Sequence, residues 1–133
     1  MLALSCGHLT HPSIPVGDIC AVADVAAGTG IWLRQLAASP AFAGRPDGKR
    51  TTFVGFDISS QQFPLADELP PNVCFKIQDF LEPFPVEYHE EFDFVNVRLL
   101  SYVIKALDLE KIVHNILQIL RKDVSFVQKI IVD

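Results

Sequence analysis

Apolar stretches of strand length recur along the chain, and stripes of apolar residues with helical spacing lie between them. The predicted strands cover 20–26, 51–57, 72–79, 92–98 and 124–132. The predicted helices cover 29–38 and 109–121, the second capped by Asp108, with shorter segments over 59–69 and 101–106. Strands that alternate with helices are typical of an α/β fold built on a parallel sheet.

The stretch at 21–30, Ala-Val-Ala-Asp-Val-Ala-Ala-Gly-Thr-Gly, predicts a buried strand, a tight turn and the start of a helix. Gly28 and Gly30 allow backbone angles that a Cβ disfavours and let a ligand approach closely. The free N–H groups of the helix would face that ligand. This arrangement opens a nucleotide-binding βαβ unit.

Two residues indicate which ligand fits. The dinucleotide pattern needs a third glycine where this chain has Leu33, which disfavours an NAD-dependent oxidoreductase. Asp24 would repel a pyrophosphate and attract a cationic amino-acid end.

Acidic residues end the second and third predicted strands. Asp57 occupies the position where a carboxylate accepts hydrogen bonds from ribose hydroxyls, and the alternative is a cap for the next helix. Ile58 would then pack on an adenine ring. Asp79 fits either a ligand contact or an ordinary turn residue.

Composition limits the class of protein. The 133 residues predict a single domain over 1–133 with an irregular lead-in over 1–19. Half of the residues are apolar, and the net charge of -5 argues against a nucleic-acid partner.

No stretch predicts a membrane span. Scattered Cys6, Cys20 and Cys74 indicate reduced thiols in the cytoplasm, and His8 and His11 lack the further ligands of a metal site.

Residues 24–30, Asp-Val-Ala-Ala-Gly-Thr-Gly, resemble the first motif of class I S-adenosylmethionine-dependent methyltransferases, D-x-G-x-G-x-G, with Ala26 in place of a glycine. Residues 91–100 resemble the fourth motif. The sequences at 10–15 and 96–100 are similar to those of fungal secondary-metabolite methyltransferases. The resemblance implies a Rossmann-like three-layer sandwich with predicted strands in the order 3-2-1-4-5, and methyl transfer to a small-molecule acceptor.

The resemblance also implies residue roles for S-adenosylmethionine. Asp24 would hold the ammonium group. Gly28, Thr29 and Gly30 would pass beneath the methionine part. Asn96 and Arg98 would lie near the substrate mouth. The full set of implied cofactor-binding residues is Asp24, Ala26, Gly28, Thr29, Gly30, Asp57, Ile58, Asp79, Phe80 and Asn96. No residue is assigned as general base.

The segment after the long helix departs from the family pattern. A proline-glycine-glycine turn is replaced by Leu-Arg-Lys-Asp-Val at 120–124, and no closing β-hairpin follows the fifth predicted strand. We therefore expect a truncated domain whose fifth strand has an unpaired edge, through which two copies can dimerise. The alternative function is a catalytically inactive cofactor-binding or interaction domain.

Overall fold

A computed structural model describes residues 2–4, 19–43, 50–100, 106–122 and 126–132. Its strands are β1 (Leu2–Leu4), β2 (Ala21–Val25), β3 (Thr52–Asp57), β4 (Val73–Ile77), β5 (Phe94–Leu100) and β6 (Phe126–Val132). Its α-helices are α1 (Ile31–Ala38), α2 (Pro40–Ala43) and α3 (Ala106–Ile119). Single 3₁₀ turns cover Ala66–Glu68 and Val86–Tyr88.

The described strands form one parallel sheet in the order β1-β6-β5-β2-β3-β4. The part from β6 to β4 confirms the predicted order 3-2-1-4-5. At its centre, β2 lies between β3 and β5, with Asp24 opposite Gly55 on one side and Asn96 on the other. The carboxyl ends of β2 and β3 therefore meet at one edge, which is where ligands bind in open parallel sheets.

Successive strand residues point to opposite faces of the sheet, and each face has its own core. One face packs against α3 and the other against α1 and α2, so the domain has three layers. Ala23 and Val95 are fully buried on the α3 face, as Val22 and Phe94 are on the α1 face. Because both faces are covered, the central strands are almost entirely apolar.

Asp93 joins three segments at the amino end of the sheet, opposite the glycine turn. Its Oδ2 accepts the backbone N–H groups of Cys20 and Ala21 at 2.7 and 3.0 Å. Its Oδ1 accepts a hydrogen bond from Nη1 of Arg121 at 3.1 Å. The carboxylate thereby fixes the start of β2 to the start of β5 and to the segment that follows α3.

Two expectations for the edges of the sheet are wrong. Leu2–Leu4 was expected to belong to an irregular lead-in but forms β1, with Leu2 opposite Val127. The outer edge of β6 was expected to be unpaired, and β1 covers it over 127–129. The physical reason is that the outer N–H and C=O groups of a strand bind any short extended segment that can lie alongside.

Two helix predictions also change. The segment over 59–69 forms no α-helix, because side chains take its backbone donors: Ser59 N–H binds Asp57 Oδ1 and Gln61 N–H binds Ser59 Oγ. α3 starts before its predicted boundary, so Asp108 lies in its first turn rather than at its cap. The predicted helix over 101–106 lies almost wholly outside the described residues, as do Cys6, His8 and His11.

In the part of the chain that the structure describes, no helix has the length and apolarity needed to cross a bilayer. The same part contains no cluster of three or more His, Cys, Asp or Glu side chains suited to a metal ion.

Candidate functional site

The turn between β2 and α1 is shaped by left-handed backbone conformations. Gly28 and Gly30 have φ of 59° and 77°, and Ala26 has φ of 64°. The cost of this conformation for an alanine is about 1–2 kcal/mol. Ala26, which replaces a glycine of the family motif, therefore has a backbone conformation that favours glycine. Gly30 is the N-cap of α1, whose first turn contains no acidic residue.

Asp57 connects this turn to the loop that follows β3. Its Oδ2 accepts the N–H of Gly28 at 2.8 Å, and its Oδ1 accepts the N–H of Ser59 at 3.3 Å. A carboxylate offers about four acceptor positions. Two of them remain for donors such as ribose hydroxyls.

A cavity of about 200 Å³ opens beside Asp57. Its lining also includes Gly28, Ser59, Gln61 and Gln62. The volume is below the roughly 300–1,000 Å³ of pockets that enclose a whole small molecule, so it fits one part of a ligand. Sequence reasoning missed the two glutamines, because the segment had been predicted to be helical. Their position shortly after Asp57 in the sequence could have indicated that they lie near the same site.

Asp24 and Asn96 form a buried polar pair beneath the turn. Their side chains are 3% and 2% exposed, and Asn96 Nδ2 donates to Asp24 Oδ1 at 2.9 Å. Neither residue lines the cavity beside Asp57. The structure thus separates the predicted residues into a buried pair and an open cavity.

The ring of Phe75, from β4, fills the space next to two glycines. A Cβ on Gly30 would overlap the ring, and a Cβ on Gly55 would lie 2.5 Å from Phe75 Cδ1. Gly55 is a glycine in a strand interior, which signals a close approach of another group. The turn, β3 and β4 therefore pack together through one aromatic side chain.

The remaining predicted residues lie at the ends of β3 and β4. Ile58 is 62% exposed. Asp79 accepts the N–H of Leu81 at 3.0 Å, as a turn residue does. Phe80 packs against the core on the α3 face, and its carbonyl accepts Nδ2 of Asn115 at 2.9 Å.

A second cavity, of about 360 Å³, lies far from this turn in the fold, along the last turns of α3. Its lining includes His89, Glu90, His114, Gln118 and Lys122. His114 is exposed, as expected for a residue beside the apolar stripe of this helix.

A protein-family model described as "Methyltransferase domain" matches residues 22–123. The chain belongs to this methyltransferase family. The match runs from β2 through α3 and so contains the turn, both strand-end acids and the Asp24–Asn96 pair. Membership supports S-adenosylmethionine as the cofactor.

Two fungal methyltransferases are similar in sequence. "Methyltransferase grgD" of Penicillium sp is 35% identical over 118 residues, which are 86% of this chain and 39% of that protein. "N-methyltransferase gliN" of Aspergillus fumigatus is 27% identical over 77 residues, which are 58% of this chain and 27% of that protein. The chain thus spans less than half the length of these curated relatives.

Solved methyltransferase structures share the fold. The citrinin polyketide synthase CMeT domain matches with a TM-score of 0.64 and 20% identity, over 84% of this chain and 29% of that one. The trans-methyltransferase CalH, solved with S-adenosylhomocysteine, matches with a TM-score of 0.60 and 19% identity, over 80% and 30%. These likenesses support the Rossmann-like α/β architecture.

Proposed function

We propose that this methyltransferase domain binds S-adenosylmethionine at the carboxyl ends of β2 and β3, and that the protein transfers the methyl group to a small-molecule acceptor. The observation that supports this most directly is the carboxylate of Asp57, which faces a cavity and holds the glycine turn at the same time. The fungal relatives and the likeness to a polyketide synthase domain support a small-molecule acceptor.

The residue roles follow the geometry of the turn. Asp57 has acceptor positions for the ribose hydroxyls. Asp24 supplies negative charge for the ammonium group, and the turn from Ala26 through Gly28, Thr29 and Gly30 passes beneath the methionine part.

The ends of β3 and β4 supply the surface for the adenine. Ile58 offers exposed apolar area beside Asp57. Asp79 would accept the adenine amino group and Phe80 would contact the ring. The backbone N–H of Gln78 binds the carbonyl of Asp57 at 2.8 Å, which keeps the two strand ends together.

When bound, the cofactor supplies an electrophilic methyl group on a sulfonium, which an acceptor nucleophile displaces in line. Asp24, Asp57 and the glycine turn would hold and orient the cofactor, and burial beneath the turn would exclude water from its amino-acid end. Positioning and desolvation are the two effects by which such a site accelerates displacement.

Calorimetric titration with S-adenosylhomocysteine tests the proposal, with NAD as the comparison ligand. The unmodified chain is expected to bind the first and not the second. Replacing Asp57 with Ala removes the acceptor for the ribose, so the Kd should rise more than about tenfold. Asp57→Asn, which keeps the shape of the side chain but replaces one acceptor with a donor, should also weaken binding.

Asp67→Ala is the matched control, because Asp67 is an exposed acid in the Ala66–Glu68 turn and lines neither cavity. It should leave the Kd unchanged. Thermal unfolding followed by circular dichroism shows whether each variant is folded. An unchanged affinity in folded Asp57→Ala would refute the ribose assignment.

A further inference from the structure

The Asp24 carboxylate lies in the centre of the sheet, where an ion is costly to bury. Its side chain is 3% exposed, on a strand with neighbours on both sides. A buried charge is tolerated when hydrogen bonds compensate for lost water. Asn96, directly opposite on β5, provides such a bond at 2.9 Å and is itself 2% exposed.

The register of the sheet places Asn96 beside the Asp24 carboxylate. On the other side of Asp24 stands Gly55, which has no side chain, and the ring of Phe75 covers that position. On the far side of Asn96 the register places Gln128. Asn96 is thus the cross-strand side chain that stands directly opposite Asp24 in the register of β2 with its two neighbouring strands.

We propose that Asn96 is a positioning residue, whose amide fixes the Asp24 carboxylate in the orientation that receives the ammonium group of the ligand. This inference rests on the proposed function and deepens it, because it makes Asn96 act through Asp24 rather than by touching the cofactor. Asn96 thereby determines preference for ligands that carry the amino-acid end.

Two ligands separate this role from a merely structural one. S-adenosylhomocysteine has the amino-acid end, whereas 5′-methylthioadenosine has the same nucleoside without it. In Asn96→Leu the bond to the charged oxygen is lost, so the Kd for S-adenosylhomocysteine should rise about tenfold. The Kd for 5′-methylthioadenosine should change by less than about twofold, since Asp57 and the adenine surface are untouched.

Asn96→Asp provides a nearly isosteric second variant with a distinct signature. Two carboxylates within hydrogen-bonding distance share a proton, and an ammonium group bound beside them favours its release. The affinity of this variant for S-adenosylhomocysteine should therefore increase as the pH rises from about 5 to 8, above the ordinary carboxyl pKa of about 4. The unmodified chain should show a constant affinity over the same range, and 5′-methylthioadenosine should show a constant affinity for both.

Asn72→Asp is the control, because the amide of Asn72 likewise donates a hydrogen bond, to the carbonyl of Thr51 at 2.7 Å, but at the amino end of the sheet. It should leave both affinities and the pH profile unchanged. Equal losses for the two ligands in Asn96→Leu, or a flat pH profile in folded Asn96→Asp, would overturn the inference. If the unmodified chain binds neither ligand, the proposed function itself fails, and the two failures are thus distinguished.

Discussion

At the scale of the residue, the two glycines of the turn have different neighbours. A Cβ on Gly30 would overlap the ring of Phe75, whereas among the residues that the structure describes a Cβ on Gly28 would meet only Gln62 Oε1, at 3.6 Å. Both residues have positive φ. Any side chain at either position is therefore strained, but only the one at Gly30 also displaces a packed ring.

We expect Gly30→Ala to lower the free energy of unfolding by about 3 kcal/mol, from left-handed strain plus overpacking. Gly28→Ala should cost about 1 kcal/mol, from strain alone. Urea unfolding of both variants measures the difference. Adding Phe75→Leu to Gly30→Ala should recover part of the loss, and equal costs for the two single variants would contradict this account.

The sequence predicts the residues of the turn better than their contacts. Gly28, Gly30 and Asp57 could be placed because a strand, a glycine turn and a strand-end acid follow one another along the chain. The contact of Phe75 with Gly30 could not be predicted, since it depends on how far a side chain of β4 reaches across β3. The bond between Asp24 and Asn96 likewise depends on the register of β5.

At the scale of the element, Asp93 joins the start of β2, the start of β5 and the segment that follows α3. Asp93→Asn replaces one acceptor oxygen with a donor that faces backbone N–H groups or Arg121. We expect the free energy of unfolding to fall by about 2 kcal/mol, the typical cost of leaving buried donors without a partner. Chemical denaturation measures this loss.

Arg121→Gln is the comparison for that variant. Its side chain is 46% exposed, so the ion pair with Asp93 is partly screened by solvent and should contribute less than about 1 kcal/mol. Equal costs for Asp93→Asn and Arg121→Gln would mean that the ion pair, and not the bonds to Cys20 and Ala21, holds the segments together.

Elements with strong periodicity were predictable and short ones were not. The order of the central strands follows from apolar runs separated by helices, because such connections give a parallel sheet. β1 has three residues, too few to show any period. The segment after β3 forms turns because local side-chain bonds from Asp57 and Ser59 outcompete a helix that Pro64 already weakens.

At the scale of the whole molecule, an aromatic cluster extends the core on the α3 face. Phe56 contacts Phe84 and Tyr88 edge to face, each with ring centroids 5.1 Å apart, and Tyr88 stacks on Phe92 at 6.3 Å. Burial, with smaller contributions from negative charge on Glu87 and Cys74, raises the pKa of Tyr88 above its ordinary value of 10.0. The folded chain therefore keeps this proton at a pH where the unfolded chain releases it.

This difference makes stability depend on alkaline pH. The contribution of Tyr88 is fully present below about pH 10 and is lost as the pH rises from there toward the folded-state pKa. Urea unfolding near pH 8 and near pH 10.5 should show a smaller alkaline loss for Tyr88→Phe, which keeps the ring, than for the unmodified chain. Identical losses in the two chains would show that Tyr88 does not contribute.

The pairing of β1 with β6 has a consequence for the order of assembly during synthesis. β2 and β3 can pair soon after both are made, whereas β1 must wait until β6 has left the ribosome, because Leu2 lies opposite Val127. The entropic cost of closing so long a loop grows only slowly with loop length. The distant pairing therefore slows folding more than it lowers stability. A bulky tag inserted immediately before Leu2 would lie beside β6 and would hinder completion of that edge.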